Sequence, residues 1–256
     1  MKSYAGVVLL CSGALTACAM DYSLAPPANS ESVNVTLKVP VELVPEVMQV
    51  MYRSSICKRL TRGASGQRIH LEGFHSIKIP LERQHQTSLY HASIPKNGGG
   101  KCNWSLSNIT LGVAYPEPNE FGTGVKYGAG GGLIVKFDGN PAPRDGASIP
   151  VYGDVVVKHE YFPWLSEAFL GGYRKYISLA GEAGIYVTYQ ASNAREVIFE
   201  PVLHAKYLVS SVQPKEKKKG NHTVFTYPDG SLVSNGAVRP DFRKLQAIRL
   251  QAEGKQ

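Results

Sequence analysis

The groups in this sequence able to do chemistry are four cysteines, seven histidines and a scatter of carboxylates, so spacing decides which chemistry is open. His70 and His75 stand five residues apart, and His85 and His91 six apart. On a strand the first spacing sends side chains to opposite faces, and the second is too long for one metal ion. Solvent or loop histidines are therefore expected. His159-Glu160 is followed by Tyr161, Phe162 and Pro163 with no second histidine, so the zinc-binding His-Glu-x-x-His face is missing. No Gly-x-Ser-x-Gly elbow occurs, which removes the common hydrolase signature. Gly128-Ala-Gly-Gly-Gly132 has the composition of a phosphate cradle, but it leads into a strand-like run at 133–137. Such cradles need a helix amino terminus behind them, so a hairpin loop or close backbone packing is expected instead. No catalytic residue, metal ligand or cofactor site follows from these residues, and the chain is not expected to be an enzyme.

The cysteines say more. Lys2 supplies a charge, residues 4–11 are apolar or small almost throughout, and Gly13-Ala-Leu-Thr-Ala17 shortens the side chains toward Cys18. That is the layout of a secretory signal, too short for the roughly 20 apolar residues of a spanning helix. Leu15-Thr16-Ala17-Cys18 resembles the bacterial lipobox. The resemblance implies diacylglycerol on the Cys18 sulfur, cleavage after residue 17, and acylation of the new amino terminus by a fatty acid such as palmitate. Several acyl chains at about 0.8 kcal/mol per buried methylene make a stable anchor, where one chain would not. Ala19 follows Cys18 and Asp21 comes later, so by the sorting pattern of enteric lipoproteins the outer membrane is expected over the inner one. Residues 18–30, with Pro26 and Pro27 and no usable periodicity, read as a lipidated flexible tether.

Cys11 falls in the discarded segment, which leaves Cys57 and Cys102. In an oxidising periplasm the pair reads as one disulfide, with two separate buried thiols as the alternative. The formal charge of +8 includes Lys2 and is partly concentrated in Lys215, Lys217, Lys218 and Lys219 around Glu216. Such a run is expected to be a solvated loop rather than a patch for an acidic partner or for lipid headgroups. Nucleic acid is not an expected partner outside the cytoplasm.

Residues 31–256 must supply the fold, as one large β-rich domain or two sub-domains. Val33, Val35, Leu37 and Val39 alternate with polar residues, as in a half-buried strand. Similar signals occur at 47–53, 68–71, 75–81, 88–94, 104–115, 133–137, 154–158, 174–179, 185–190, 196–200, 202–212 and 223–227. Breakers at 97–100, 138–141 and 228–230 separate some of them. Two short helices are expected, at 163–170 and at 241–251, the second with Phe242, Leu245 and Ile248 on one side and Pro240 in its first turn. The fold class expected is mainly β, a sandwich of packed antiparallel sheets with one or two short helices.

Four stretches carry a family resemblance. They are residues 50–58 (Val-Met-Tyr-Arg-Ser-Ser-Ile-Cys-Lys), 121–132 (Phe-Gly-Thr-Gly-Val-Lys-Tyr-Gly-Ala-Gly-Gly-Gly), 199–204 (Phe-Glu-Pro-Val-Leu-His), and 227–231 (Tyr-Pro-Asp-Gly-Ser) through 242–250. The chain is similar there to enterobacterial lipoproteins encoded beside type VI secretion lipase effectors. What the resemblance implies is an immunity protein: a periplasmic, membrane-anchored chain that binds a phospholipase effector one to one and blocks it. Its partner-binding residues are not transferable position by position. An assembly lipoprotein of an envelope machine is the alternative, followed by a carbohydrate-binding module or an enzyme with an unrecognised site.

Overall fold

A computed structural model describes residues 21–255; the segment expected to be a signal and Cys18 lie outside the described residues. In chain order the first strands are β1 Ser32–Lys38, β2 Val44–Pro45, β3 Met48–Arg62, β4 Arg68–Ile79, β5 Glu82–Arg83 and β6 Leu89–Pro95. Then come β7 Asn97–Gly99, β8 Trp104–Ala114, β9 Lys126–Tyr127, β10 Gly132–Lys136, β11 Ser148–Pro150 and β12 Val155–Ala168. The last are β13 Arg174–Gly181, β14 Tyr186–Gln190, β15 Glu196–Leu203, β16 Val209–Val212, β17 Val224–Thr226 and β18 Leu232–Val233. One α-helix, α1, covers Phe242–Ala252, and a short 3-10 turn covers Pro118–Phe121.

The fold is mainly β, with two sheets packed together as a sandwich. One sheet runs β18-β17-β16-β12-β15-β1-β6-β5, with β13 on β12 and β9 on β13. The other runs β11-β14-β10-β8-β3-β4, with β2 and β7 on β8. Alternation explains the main core. Val33, Val35 and Leu37 of β1 are fully buried while Asn34 and Lys38 are exposed, and Ile109, Leu111 and Val113 of β8 come from the opposite sheet to meet the same cluster. A second cluster gathers Phe162, Val209, Phe225 and Leu245, so α1 closes the far end of the larger sheet.

Several sequence expectations are corrected. The sheets are mixed: β1 and β12 both run parallel to β15, and β10 runs parallel to β14. Residues 163–168 are strand rather than helix, in antiparallel register with β13 through Leu165↔Ile177 and Trp164↔Ser178. Tyr161-Phe-Pro-Trp-Leu165 is apolar without alternation because its neighbours contribute to both cores, and such a run has no period that separates strand from helix. Pro163 is tolerated because β12 pairs with β15 only through Tyr161 and with β16 only from Trp164; it falls in the gap.

The runs at 68–71 and 75–81 are one strand, β4, and the run at 47–53 continues to Arg62. The joining point is Gly73, opposite a bulge in β3 between Ser54 and Arg59. A Cβ on Gly73 would lie 1.8 Å from the Cys57 carbonyl oxygen, so only glycine permits this approach. The run at 202–212 is split by a turn in which the Tyr207 N–H donates to the His204 carbonyl. In α1 the first-turn role of Pro240 passes to Asp241, whose carboxylate accepts from the N–H groups of Arg243 and Lys244 as a helix cap.

Candidate functional site

A groove follows the turn between β13 and β14, where Gly184 has φ +93°, and the segment entering α1 forms its other wall. Three hollows share lining residues along it, with volumes of about 340, 570 and 420 Å³. The largest is polar at its rim. Arg144, held at φ +65°, donates from Nη1 to the Tyr186 hydroxyl at 2.8 Å, and its guanidinium carbon sits 5.7 Å from that ring's centre. Asp145 beside it accepts from the Ala142 N–H at 3.0 Å and from Lys136 Nζ at 3.1 Å. Those bonds, the backbone one foremost, hold its carboxyl below the usual range. Glu46 lines the same hollow; burial raises its carboxyl pKa, with Arg144 opposing the rise.

The Gly128–Gly132 segment shapes this wall by close packing, as one of the two sequence expectations had it. A Cβ at Gly130 would meet the Leu179 carbonyl oxygen at 2.1 Å, and one at Gly132 would meet the Tyr186 ring at 2.3 Å. Tyr127 fixes the loop by placing its hydroxyl 2.8 Å from the Gly130 carbonyl and 3.0 Å from that of Val113. Burial pushes this hydroxyl's pKa well up, so it stays protonated and donating.

The apolar hollow is lined by Trp164, Leu179, Ile185, Val238 and Phe242, with Arg239 at its edge. Val238 is 82% exposed and Ile185 41%, so this wall offers apolar surface to solvent. The third hollow lies over His159 and Glu160. Here Glu160 ties the sheet to α1: Gln246 donates to its Oε2, Arg249 lies 3.7 Å from Oε1, and His204 Nε2 lies 3.3 Å from Oε1. His159 Nε2 is 3.1 Å from the Tyr189 hydroxyl. Burial pushes both imidazoles below their ordinary value; Arg249 adds to the effect at His204, while Glu160 opposes it there. What this assembly can do is recognise: it presents arginine, tyrosine and apolar side chains, the types that anchor protein interfaces.

At another place the chain's first described residues lie against the domain. Asp21 places its carbonyl 3.9 Å from Cys102 Sγ, Trp104 Nε1 donates to the Tyr22 carbonyl at 3.1 Å, and the Ala25 N–H donates to the Gly98 carbonyl at 2.9 Å. Residues 21–25, read from the sequence as tether, are thus bound down by backbone and indole hydrogen bonds that no periodicity announces. Cys102 is bonded to Cys57, as the cysteine count predicted.

Of the residues singled out from sequence, Cys57 and Cys102 come together and Cys18 lies outside the described residues. His70 and His85 are exposed. His75 and His91 are not loop side chains: the His75 ring lies 5.6 Å from that of Trp104, and His91 Nδ1 lies 3.1 Å from Thr36 Oγ1 across the β1–β6 ladder. Among the described residues no three His, Cys, Asp or Glu side chains are grouped to hold a metal ion. Lys215–Lys219 fall in the exposed loop between β16 and β17. The groove residues Glu46, Arg144, Tyr186 and Arg239 come from four distant parts of the chain, and nothing in their spacing marks them. The domain that carries the groove is a disulfide-stapled two-sheet β body. No family model, curated protein or solved structure matches it.

Proposed function

We propose that this chain is a lipid-anchored periplasmic binding protein of the immunity class, which neutralises a type VI secretion phospholipase by covering its active-site entrance. The observation that supports the reading best is the groove: an arginine- and tyrosine-rimmed depression with exposed Ile185 and Val238 beside it. Such a surface suits insertion of a partner's side chains, with Arg144 and Arg239 placed at the rim where a carboxylate or carbonyl would meet them. Acyl chains on Cys18 would hold the domain where a phospholipase must work and raise its effective concentration there. A rigid, cross-linked body loses little freedom on docking. Covering an entrance requires no catalytic group of the inhibitor's own.

The test is co-production of the full chain with the lipase encoded beside it, scored by survival and by a 1:1 complex on gel filtration. Protection and co-elution are expected. Reversing Arg239 to Glu and Val238 to Asp should weaken the complex at least tenfold, about 1.4 kcal/mol, without changing the melting curve. Unprotected cells and separate elution would remove the proposal.

A further inference from the structure

We propose that the tip of the β3–β4 hairpin, residues 58–72, is a docking arm for an anionic phospholipid surface; this rests on the reading of Cys18 as the lipid anchor. Only Gln49–Arg53 of β3 pair with β8, so beyond the bulge the ribbon is two-stranded, from Arg59↔Leu71 to Arg62↔Arg68. A two-stranded ribbon alone is marginal in water. This one is fastened at its base by the Cys57–Cys102 bond and by Gly73 seated against the Cys57 carbonyl.

The arm's chemistry suits a lipid headgroup layer. Lys58, Arg59, Arg62 and Arg68 are all exposed, and Glu72 is the one carboxylate between residues 58 and 72. Among the described residues no carboxylate pairs with any of the four cations. Arg62 and Arg68 face each other across the ladder, an arrangement that destabilises a free hairpin and that bound phosphate would relieve. Basic residues on an exposed strand also guard against edge pairing, but then the surface between them should be polar. Instead Leu60 is 55% exposed and Leu71 41% among them, and at the arm's base Ile56 is 62% exposed and Phe74 47%, with the Arg59 guanidinium 4.9 Å over the Phe74 ring. Cations interleaved with apolar side chains are the pattern of interfacial membrane binding.

Position selects the occupant. Asp21 touches Cys102, and Cys102 is bonded to Cys57, the residue immediately before the arm. Cys18 is three residues upstream of Asp21, a reach of at most about 11 Å. Acyl chains on Cys18 therefore enter the bilayer beside the arm's base, and the surface nearest the arm is phospholipid.

The test uses the full chain carrying Cys18→Ala, so that no acyl chain is present, floated with vesicles of pure phosphatidylcholine or of phosphatidylcholine with one-third phosphatidylglycerol. Any contribution of the apolar residues 4–11 is common to both vesicle types. Each basic residue near an anionic surface contributes about fivefold to partitioning. Preference for the anionic vesicles is expected at low salt, fading as salt rises. Adding K58S, R59S, R62S and R68S together should lower that preference roughly a hundredfold or more, with an unchanged melting curve. Equal binding to both vesicle types, or a preference that survives these substitutions and disappears when the lysines of 215–219 are replaced, would overturn the proposal. So would loss of lipase binding in the arm variant with vesicle binding intact, which would give the arm to the protein partner. The assay contains no anchor, so a negative result leaves the Cys18 reading standing. An unlipidated native protein would be detected separately by its mass.

Discussion

Cys57 and Cys102 close a loop of 45 residues, and removing that constraint from the unfolded chain is worth roughly 3–4 kcal/mol in the chain-entropy model. The double substitution C57S/C102S should lower the unfolding free energy from denaturant titration by that amount under oxidising conditions and change nothing in reductant; an unchanged midpoint would contradict the bridge's role. Proton linkage gives a second prediction. Burial depresses His159 and His204 below their ordinary value, so the unfolded chain takes up protons first as pH falls. Their contribution is complete above about pH 6.5 and is lost as pH falls through the lowered folded values. Asp145 and Asp154 are also depressed, by backbone N–H donors from Ala142 and from Arg195 and Glu196, so their contribution is lost only below the ordinary carboxylate range. Melting temperature should therefore fall in two stages on acidification, and replacing both histidines by glutamine should flatten the upper stage alone. An unaltered upper stage would show that other groups carry it.

Among the elements, β1 was legible in sequence because its alternation sends one face to the core, and β8 and β10 also sit close to their expected bounds although β10 is buried on both faces. The terminal helix was legible too, through Phe242, Leu245 and Ile248. What was hidden depends on contacts from far along the chain. The strand at 161–165 is apolar on both sides because two cores meet there, which erases its period. The long β3–β4 ribbon reads as separate short strands because Gly73 and the bulge at Ser54–Arg59 break alternation where the backbones approach. That junction can be tested directly. Gly73→Ala would drive a methyl into the Cys57 carbonyl, and a loss of roughly 2 kcal/mol is expected from the forced backbone shift. Equal stability of the variant and the parent would mean that the approach is not tight. The groove was the least legible feature, since its walls join residues near 46, 144, 186 and 239 that only the mixed sheet topology brings together.

At the scale of the whole molecule, the two sheets and the disulfide make a stiff body that carries the two proposed binding surfaces. The basic hairpin stands beside the start of the described chain, and the groove beside α1 is built from other elements. If fatty acid chains leave from Cys18, the body is leashed by the hairpin's base, and the groove's accessibility follows from that pose. Membrane attachment is thus the premise on which the proposed effector-blocking role and the proposed docking arm both depend. Among the described residues no helix is long and apolar enough to cross a membrane. The most direct measurement is the intact mass of the protein extracted from its native envelope, with fragmentation of its first peptide. The account predicts a chain that begins at Cys18 and carries diacylglycerol and an amide-linked acyl group. A chain beginning elsewhere, or an unmodified Cys18, would contradict it.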